Sequence, residues 1–174
     1  MAVEDFGGSV LGKKIEVIFS DHQNKVDIAS AKARQWFDTA DVDMITDLTN
    51  SSVALAVQKL AEDKGRITIA TGPGAIDLTG KACTPHTVSF TYDTYMLANG
   101  TGKALTKAGG DTWFFLTSDY AFGHAMERDS TAVITANGGK VLGGVKHPIN
   151  TADFSSFLLQ AQASKAKVIG LANA

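Results

Sequence analysis

The sequence predicts an α/β protein with mainly parallel sheets and helices on both faces of them. Three observations point there. Short runs rich in β-branched residues alternate with longer amphipathic stretches along the whole chain. One run, Thr112 to Thr117, is largely apolar, as a strand buried on both faces is. Polar, aromatic or glycine-rich turns follow the ends of four of these runs.

The elements follow in order. Met1 to Phe6 reads as the last turns of a helix stopped by Gly7-Gly8, which implies more chain upstream. Residues 14–20 alternate and read as a strand. A helix is expected over 25–38, with Asn24 as N-cap, Asp27 in the first turn and Val26, Ile28, Ala29, Ala33, Trp36 and Phe37 near helical spacing. A strand over 43–48 leads to a helix capped by Ser51 or Ser52, buried through Val53, Leu55, Ala56, Val57 and Leu60, and stopped at Lys64-Gly65. Strands at 66–71 and 87–90 complete the first half, the former ending in the turn Gly72-Pro73-Gly74.

The second half repeats the grammar. Helices are expected over 93–107, 120–136 and 153–164, capped in turn by Asp93, Asp119 and either Asn150 or Thr151. Strands are expected over 112–117, 140–147 and 167–173, with Gly143-Gly144 marking a bulge. Trp36 and Trp113 fall on faces expected to be buried. GKKIEVIFSD leading to VDMI is weakly echoed by GKVLGGVKHP leading to AKVI, a hint of two lobes. The chain closes on a strand, so both ends read as cut from a longer protein.

Composition bounds the function. The 174 residues suggest one domain or two small ones at roughly 150 residues each. An apolar share of 44%, a charged share of 20% and 3 prolines exclude disorder and collagen-like repeats. Mean hydropathy is +0.02 with only short apolar runs, so the chain is not membrane-spanning. A net charge of -2 without a basic stripe argues against nucleic acid as partner. A single cysteine, Cys83, excludes an intrachain disulfide and a multi-cysteine zinc site. The start MAVEDFGG lacks the pattern of a signal peptide.

Ligands of open parallel sheets bind beyond the carboxyl ends of strands. Four such ends attract attention: Leu48 to Ser52, Thr71 to Ala75, Phe90 to Tyr95, and Thr117 to Gly123. Ser51 and Ser52 sit at a helix N-terminus, where free N–H groups suit a carboxylate or phosphate. Read plainly, they only cap their helix. Gly72 and Gly74 let backbone N–H groups approach an anion, or serve a turn needing positive φ. GPGAID is not a dinucleotide fingerprint, because Asp77 stands where a third glycine belongs. Tyr92, Tyr95, Tyr120 and Phe122 could wall a flat apolar ligand, or pack a hinge. No catalytic or metal set stands out: His124 and Glu127 lack further ligands, and Cys83 with His86 reads as chance proximity.

Seven strings carry a resemblance through nearly the whole chain: AVEDFGG, DHQNK, NSSVALAVQ, DLTGKAC, TYDTYMLANGTG, SDYAFGHAMERD and NTADFSSFLLQAQASKAKVIGLANA. The chain resembles the periplasmic substrate-binding proteins of branched-chain-amino-acid-type ABC transporters, the type I bilobal receptors, and among them the subgroup taking aromatic or other small carboxylates. The resemblance implies two doubly wound parallel-sheet lobes, each incomplete in this chain: residues 1–91 in the first, lacking its central first strand, and 92–174 in the second. It implies a site of Asn50, Ser51, Ser52, Gly72, Gly74, Ala75, Tyr120 and Phe122, to which the aromatic turn after the fourth strand adds Tyr92. Ala75-Ile76 departs from the hydroxyl residues that relatives often carry at that turn. It further implies a periplasmic receptor delivering a small carboxylate to an ABC permease, with no cofactor. The alternatives are a doubly wound enzyme acting on an anionic substrate and a sensory domain on the same fold.

Overall fold

The computed structural model describes residues 1–173 and arranges most of them around two separate three-stranded parallel sheets. A short helix α1 (Ala2–Asp5) comes first and ends at Gly7 and Gly8, both at positive φ. Strands β1 (Ser9–Val10) and β2 (Lys13–Lys14) then form an antiparallel hairpin. Its two turn residues, Leu11 and Gly12, both have positive φ, as a turn matching the strand twist requires.

The strand expected over 14–20 does not form beyond Lys14. The Ile15 N–H donates to the Gly8 carbonyl at 2.9 Å, and residues 15–20 have no regular structure. Val17 and Phe19 are 73% and 94% exposed. A strand is held by its ladder rather than by its own propensity, and no strand among the described residues pairs with this segment.

The first sheet is built from α2 (Val26–Thr39), β3 (Met44–Asp47), α3 (Ser51–Asp63), β4 (Ile67–Ala70) and β5 (Thr87–Ser89), with a 3-10 turn at Ile76–Leu78 between the last two strands. The strand order is β3-β4-β5, all parallel. Ala29, Ala33 and Phe37 recur every fourth residue of α2 and form one stripe. That stripe packs with Val53, Ala54, Val57 and Ala61 of α3 and with Ile45, Leu48 and Leu78. Trp36 is only partly buried at the edge of this core. The opposite face is bare, since Met44, Ile67 and Val88 are about half exposed. Helices therefore cover one face of this sheet rather than both, as an incomplete lobe leaves it.

The second sheet meets the expectation more fully. It comprises α4 (Thr94–Leu97), a π-helical turn (Ala98–Gly102), α5 (Lys103–Lys107), β6 (Thr112–Ser118), α6 (Ala121–Ala136), β7 (Lys140–His147), α7 (Ser155–Ala163) and β8 (Val168–Ala172). The central strand β6 pairs in parallel with β7 and β8. Trp113 and Phe115 pack with Ile134 of α6 and Ala172, while Phe114 and Leu116 pack with Ala161 of α7. The pairing of β6 with β7 slips by one residue between Trp113 and Phe114, leaving out Leu142 beside the Gly143-Gly144 pair.

Helix 93–107 is not continuous. Its middle widens into a π turn that buries Ala98 and Gly102 and packs against α6. Three expected caps also differ. Asn24 has a φ of 56°, and Lys25 takes the N-cap position of α2 without a side-chain cap bond. Asp119 does not cap α6 and pairs with His124 Nε2 at 2.7 Å instead. Before α7, the bond to the Ser155 N–H comes from Asp153 rather than from Asn150 or Thr151.

Candidate ligand-binding site

The C-terminal ends of β3, β4 and β6 deliver their turns to one place. Asp47 and Leu48 leave β3 at φ values of 81° and 57°, a sharp bend through the left-handed region by two non-glycine residues. Strain of this kind concentrates at functional sites. Asn50 then caps α3, its Oδ1 accepting from the Ser52 and Val53 N–H groups at 2.9 and 3.1 Å. That corrects the expectation that Ser51 or Ser52 is the cap. Asn50 is the last residue with extended backbone, whereas both serines already lie within the helix. Their hydroxyls are thereby free for other work.

Ser51 is buried, and its Oγ accepts from the Ala75 N–H at 3.3 Å. Ser52 Oγ accepts from the Ala121 N–H at 3.0 Å, reaching from the first sheet's helix to the start of α6. Gly72 lies against Thr49, where an added Cβ would come within 3.0 Å of the Thr49 Cα. At Gly74 an added Cβ would meet the Tyr92 ring at 2.9 Å and the Phe122 ring at 3.1 Å. Neither glycine is among those at positive φ, so lack of space rather than backbone conformation calls for glycine at both positions.

Aromatic rings form the other wall. Tyr120 and Phe122 stand with centroids 6.1 Å apart, and Phe122 is buried. Tyr92 remains 44% exposed. Burial, with a smaller contribution from Tyr92, pushes the Tyr120 phenol above its ordinary pKa, so it stays protonated and able to donate. Tyr95, also named from the sequence, points its ring to solvent on α4.

Of the nine residues expected at the site, Ser51 bonds Ala75, Ser52 bonds Ala121, Gly74 lies against Tyr92 and Phe122, and Tyr120 stands by Phe122, while Asn50 caps α3 and Gly72 lies against Thr49. None carries a charge at neutral pH. The cluster offers hydroxyls, backbone N–H groups and two helix N-termini beside apolar rings. Such a set can hold an anion by neutral donors and stack a flat body against it.

Sequence reasoning missed the groups behind this cluster. Thr94, Asp129, Arg128 and Asp77 tie the loop after β4 to α6 across separations of up to 51 residues, for which no local motif exists. The other sites considered do not assemble. Glu127 accepts from Thr117 Oγ1 at 2.7 Å rather than joining His124, and no group of three metal-binding side chains occurs among the described residues. The Cys83 thiol faces the Thr84 carbonyl, while His86 Nδ1 is buried without a partner. Beside the site, a hollow of about 360 Å³ lies against Phe122, lined also by Leu105, Trp113, Met126 and Leu171.

Two three-stranded parallel sheets thus bring uncharged polar groups and aromatic rings together at their strand ends. A family model described as periplasmic binding protein matches residues 1–174. A periplasmic binding protein from Burkholderia mallei is 57% identical, with a TM-score of 0.96, over 99% of this chain and 46% of its own. A branched-chain amino acid ABC transporter periplasmic ligand-binding protein from Burkholderia xenovorans is 38% identical, with a TM-score of 0.71, over 97% of this chain and 45% of its own. An ABC-transporter solute-binding protein from Rhodopseudomonas palustris, in complex with 3,4-dihydroxybenzoic acid, is 27% identical, with a TM-score of 0.84, over 97% of this chain and 46% of its own. No curated protein matches at a significant level. The chain belongs to the periplasmic binding protein family, and it spans about half the length of these relatives.

Proposed function

We propose that this chain supplies the ligand-gripping strand ends of an ABC-transporter solute receptor, which traps a small carboxylate between its lobes and hands it to a membrane permease from the periplasm. The observation carrying the reading is the convergence of Ser51, Ser52, Gly74, Tyr92 and Phe122 without a lysine or arginine among them. The carboxylate sits against the N-terminus of α3 and the loop after β4, where N–H and O–H groups take its charge. The boundary between lobes falls near residue 91, so Tyr92 opens the second one. Three aromatic side chains favour an aromatic acid over an aliphatic amino acid, and a relative crystallised with 3,4-dihydroxybenzoic acid supports that preference. Nothing in this mechanism makes or breaks a bond, and domain closure is the signal passed to the permease.

Calorimetric titration of the full-length protein with benzoate-type acids and with leucine tests the proposal. Saturable heat with an aromatic acid, reduced by Ser52→Ala, is expected. No heat with either class, or turnover of the added acid, contradicts it.

A further inference from the structure

A polar circuit stands directly behind the site. Arg128 of α6 faces Asp77 with both terminal nitrogens, at 3.1 and 3.3 Å, and donates from Nε to Asp129 at 2.9 Å. Asp129 Oδ2 accepts from Thr94 Oγ1 at 2.6 Å, and Thr94 Oγ1 in turn accepts from the Ile76 N–H at 3.2 Å. Ile76 precedes Asp77 in the chain, so the circuit closes on itself. The Thr94 N–H donates to the Gly74 carbonyl at 2.8 Å, which fastens the circuit to the glycine facing Tyr92 and Phe122.

Burial decides how much such a circuit matters. Thr94 is fully buried, and the Asp77 and Asp129 side chains are only 14% exposed. The Arg128 guanidinium is about half exposed, so water screens part of these pairs, but removing it leaves two largely buried carboxylates without their partner. Lys81 reaches Asp77 at 3.0 Å but is itself mostly exposed, so it supplements Arg128 without replacing the link to α6.

We propose that Asp77, Arg128, Asp129 and Thr94 act as positioning residues for the ligand site: their circuit fixes the loop 72–78 against α6 and so sets the spacing between Gly74 and Phe122. This rests on the receptor reading above. The two sides it joins carry the two walls of the site, the loop presenting Gly74 and holding Ser51 Oγ through the Ala75 N–H, and α6 presenting Phe122 less than two turns before Arg128. The circuit touches no ligand. It acts through the geometry of the groups that do.

The test uses the full-length protein with Arg128→Gln, Asp77→Asn, the pair together, and the swapped pair Asp77→Arg with Arg128→Asp. Each is titrated with 3,4-dihydroxybenzoate, and the exchange of the Ile76 amide is followed without ligand. Each single variant is expected to weaken binding about tenfold, the double to be little worse than either, and the Ile76 amide to exchange faster. Partial recovery of affinity in the swapped pair separates positioning from bulk stability. Unchanged affinity with unchanged Ile76 exchange overturns the proposal. So does a loss of affinity that follows the thermal midpoint in every variant with no recovery on swapping. If the wild-type protein binds no acid, the receptor reading falls, and the circuit stands or falls on the Ile76 exchange measured in the same samples.

Discussion

The Ser52 hydroxyl oxygen lies 3.0 Å from the Ala121 backbone nitrogen and caps α6 from a helix that belongs to the other sheet. Helix α6 has no side-chain cap of its own. A serine hydroxyl accepts and donates at once, so Ser52 can hold the Ala121 N–H while offering its proton to an anion. This contact ties α3 of the first sheet to α6 of the second at the proposed site.

Ser52→Ala is therefore expected to act twice. Loss of the cap should lower stability by about 1 kcal/mol, read by urea denaturation. Loss of a donor to a carboxylate should weaken binding by roughly tenfold, read by calorimetry. Unaltered affinity with the stability loss intact would leave Ser52 a structural cap only.

Gly74→Ala should weaken ligand binding, because its Cβ would intrude on the rings of Tyr92 and Phe122. No backbone strain is expected, since Gly74 is not at positive φ. Phe122 is buried and cannot yield, whereas Tyr92 is partly exposed and can. The added methyl should thus displace Tyr92 rather than Phe122, and the loss is read as a ratio of dissociation constants between Gly74→Ala and wild type.

Acid should loosen the link between the loop after β4 and α6. Burial alone would raise the Asp77 pKa, but hydrogen bonds from Arg128 and Lys81 outweigh it and hold the carboxyl below its ordinary value of 3.8. A carboxyl depressed in the folded state adds stability above its unfolded pKa and loses it as pH falls through the folded one. The contribution is present at neutral pH and disappears only below about 4. Asp77→Asn should flatten that part of a stability-against-pH curve and leave the curve above pH 5 parallel to wild type.

Phe115→Ala should cost about 3–5 kcal/mol in denaturant titrations, since Phe115 is buried in the core of the second sheet. Phe19→Ala should cost less than about 0.5 kcal/mol in the isolated 174-residue polypeptide, where that ring is almost wholly exposed.

The isolated polypeptide should also self-associate. Among the described residues the outer edges of β3 and β8 have no partner strand, and Met44, Ile67, Leu159 and Leu171 are exposed. Light scattering should detect oligomers at micromolar concentration. A monodisperse monomer that unfolds cooperatively would contradict the view that these surfaces need cover.

What the sequence discloses and what it hides divide along a physical line. Elements stabilised by their own pattern were legible: the α2 stripe of Ala29, Ala33 and Phe37, the doubly buried β6, and the bulge at Gly143-Gly144. Strand ends carrying glycine, serine and aromatic residues also mark themselves, and the structure brings Ser51, Ser52, Gly74, Tyr92 and Phe122 into contact with residues of neighbouring turns. Features that depend on distant partners were not. Residues 15–20 have the alternation of a strand but find no ladder, and the π turn at Ala98–Gly102 answers to packing on α6. Asn50 takes the cap from the serines through a difference of one residue in helix start, finer than pattern resolves. The Asp77–Arg128–Asp129–Thr94 circuit joins residues that no spacing rule relates.

The most direct measurement is a crystal structure of the full-length protein with 3,4-dihydroxybenzoate bound. The account predicts carboxylate oxygens within about 3 Å of the Ser51 or Ser52 hydroxyl and of N–H groups in the loop 72–75, with the ring between Tyr92 and Phe122. A ligand whose carboxylate is held by a lysine or arginine, or one seated in the hollow lined by Trp113 and Leu171, would contradict it.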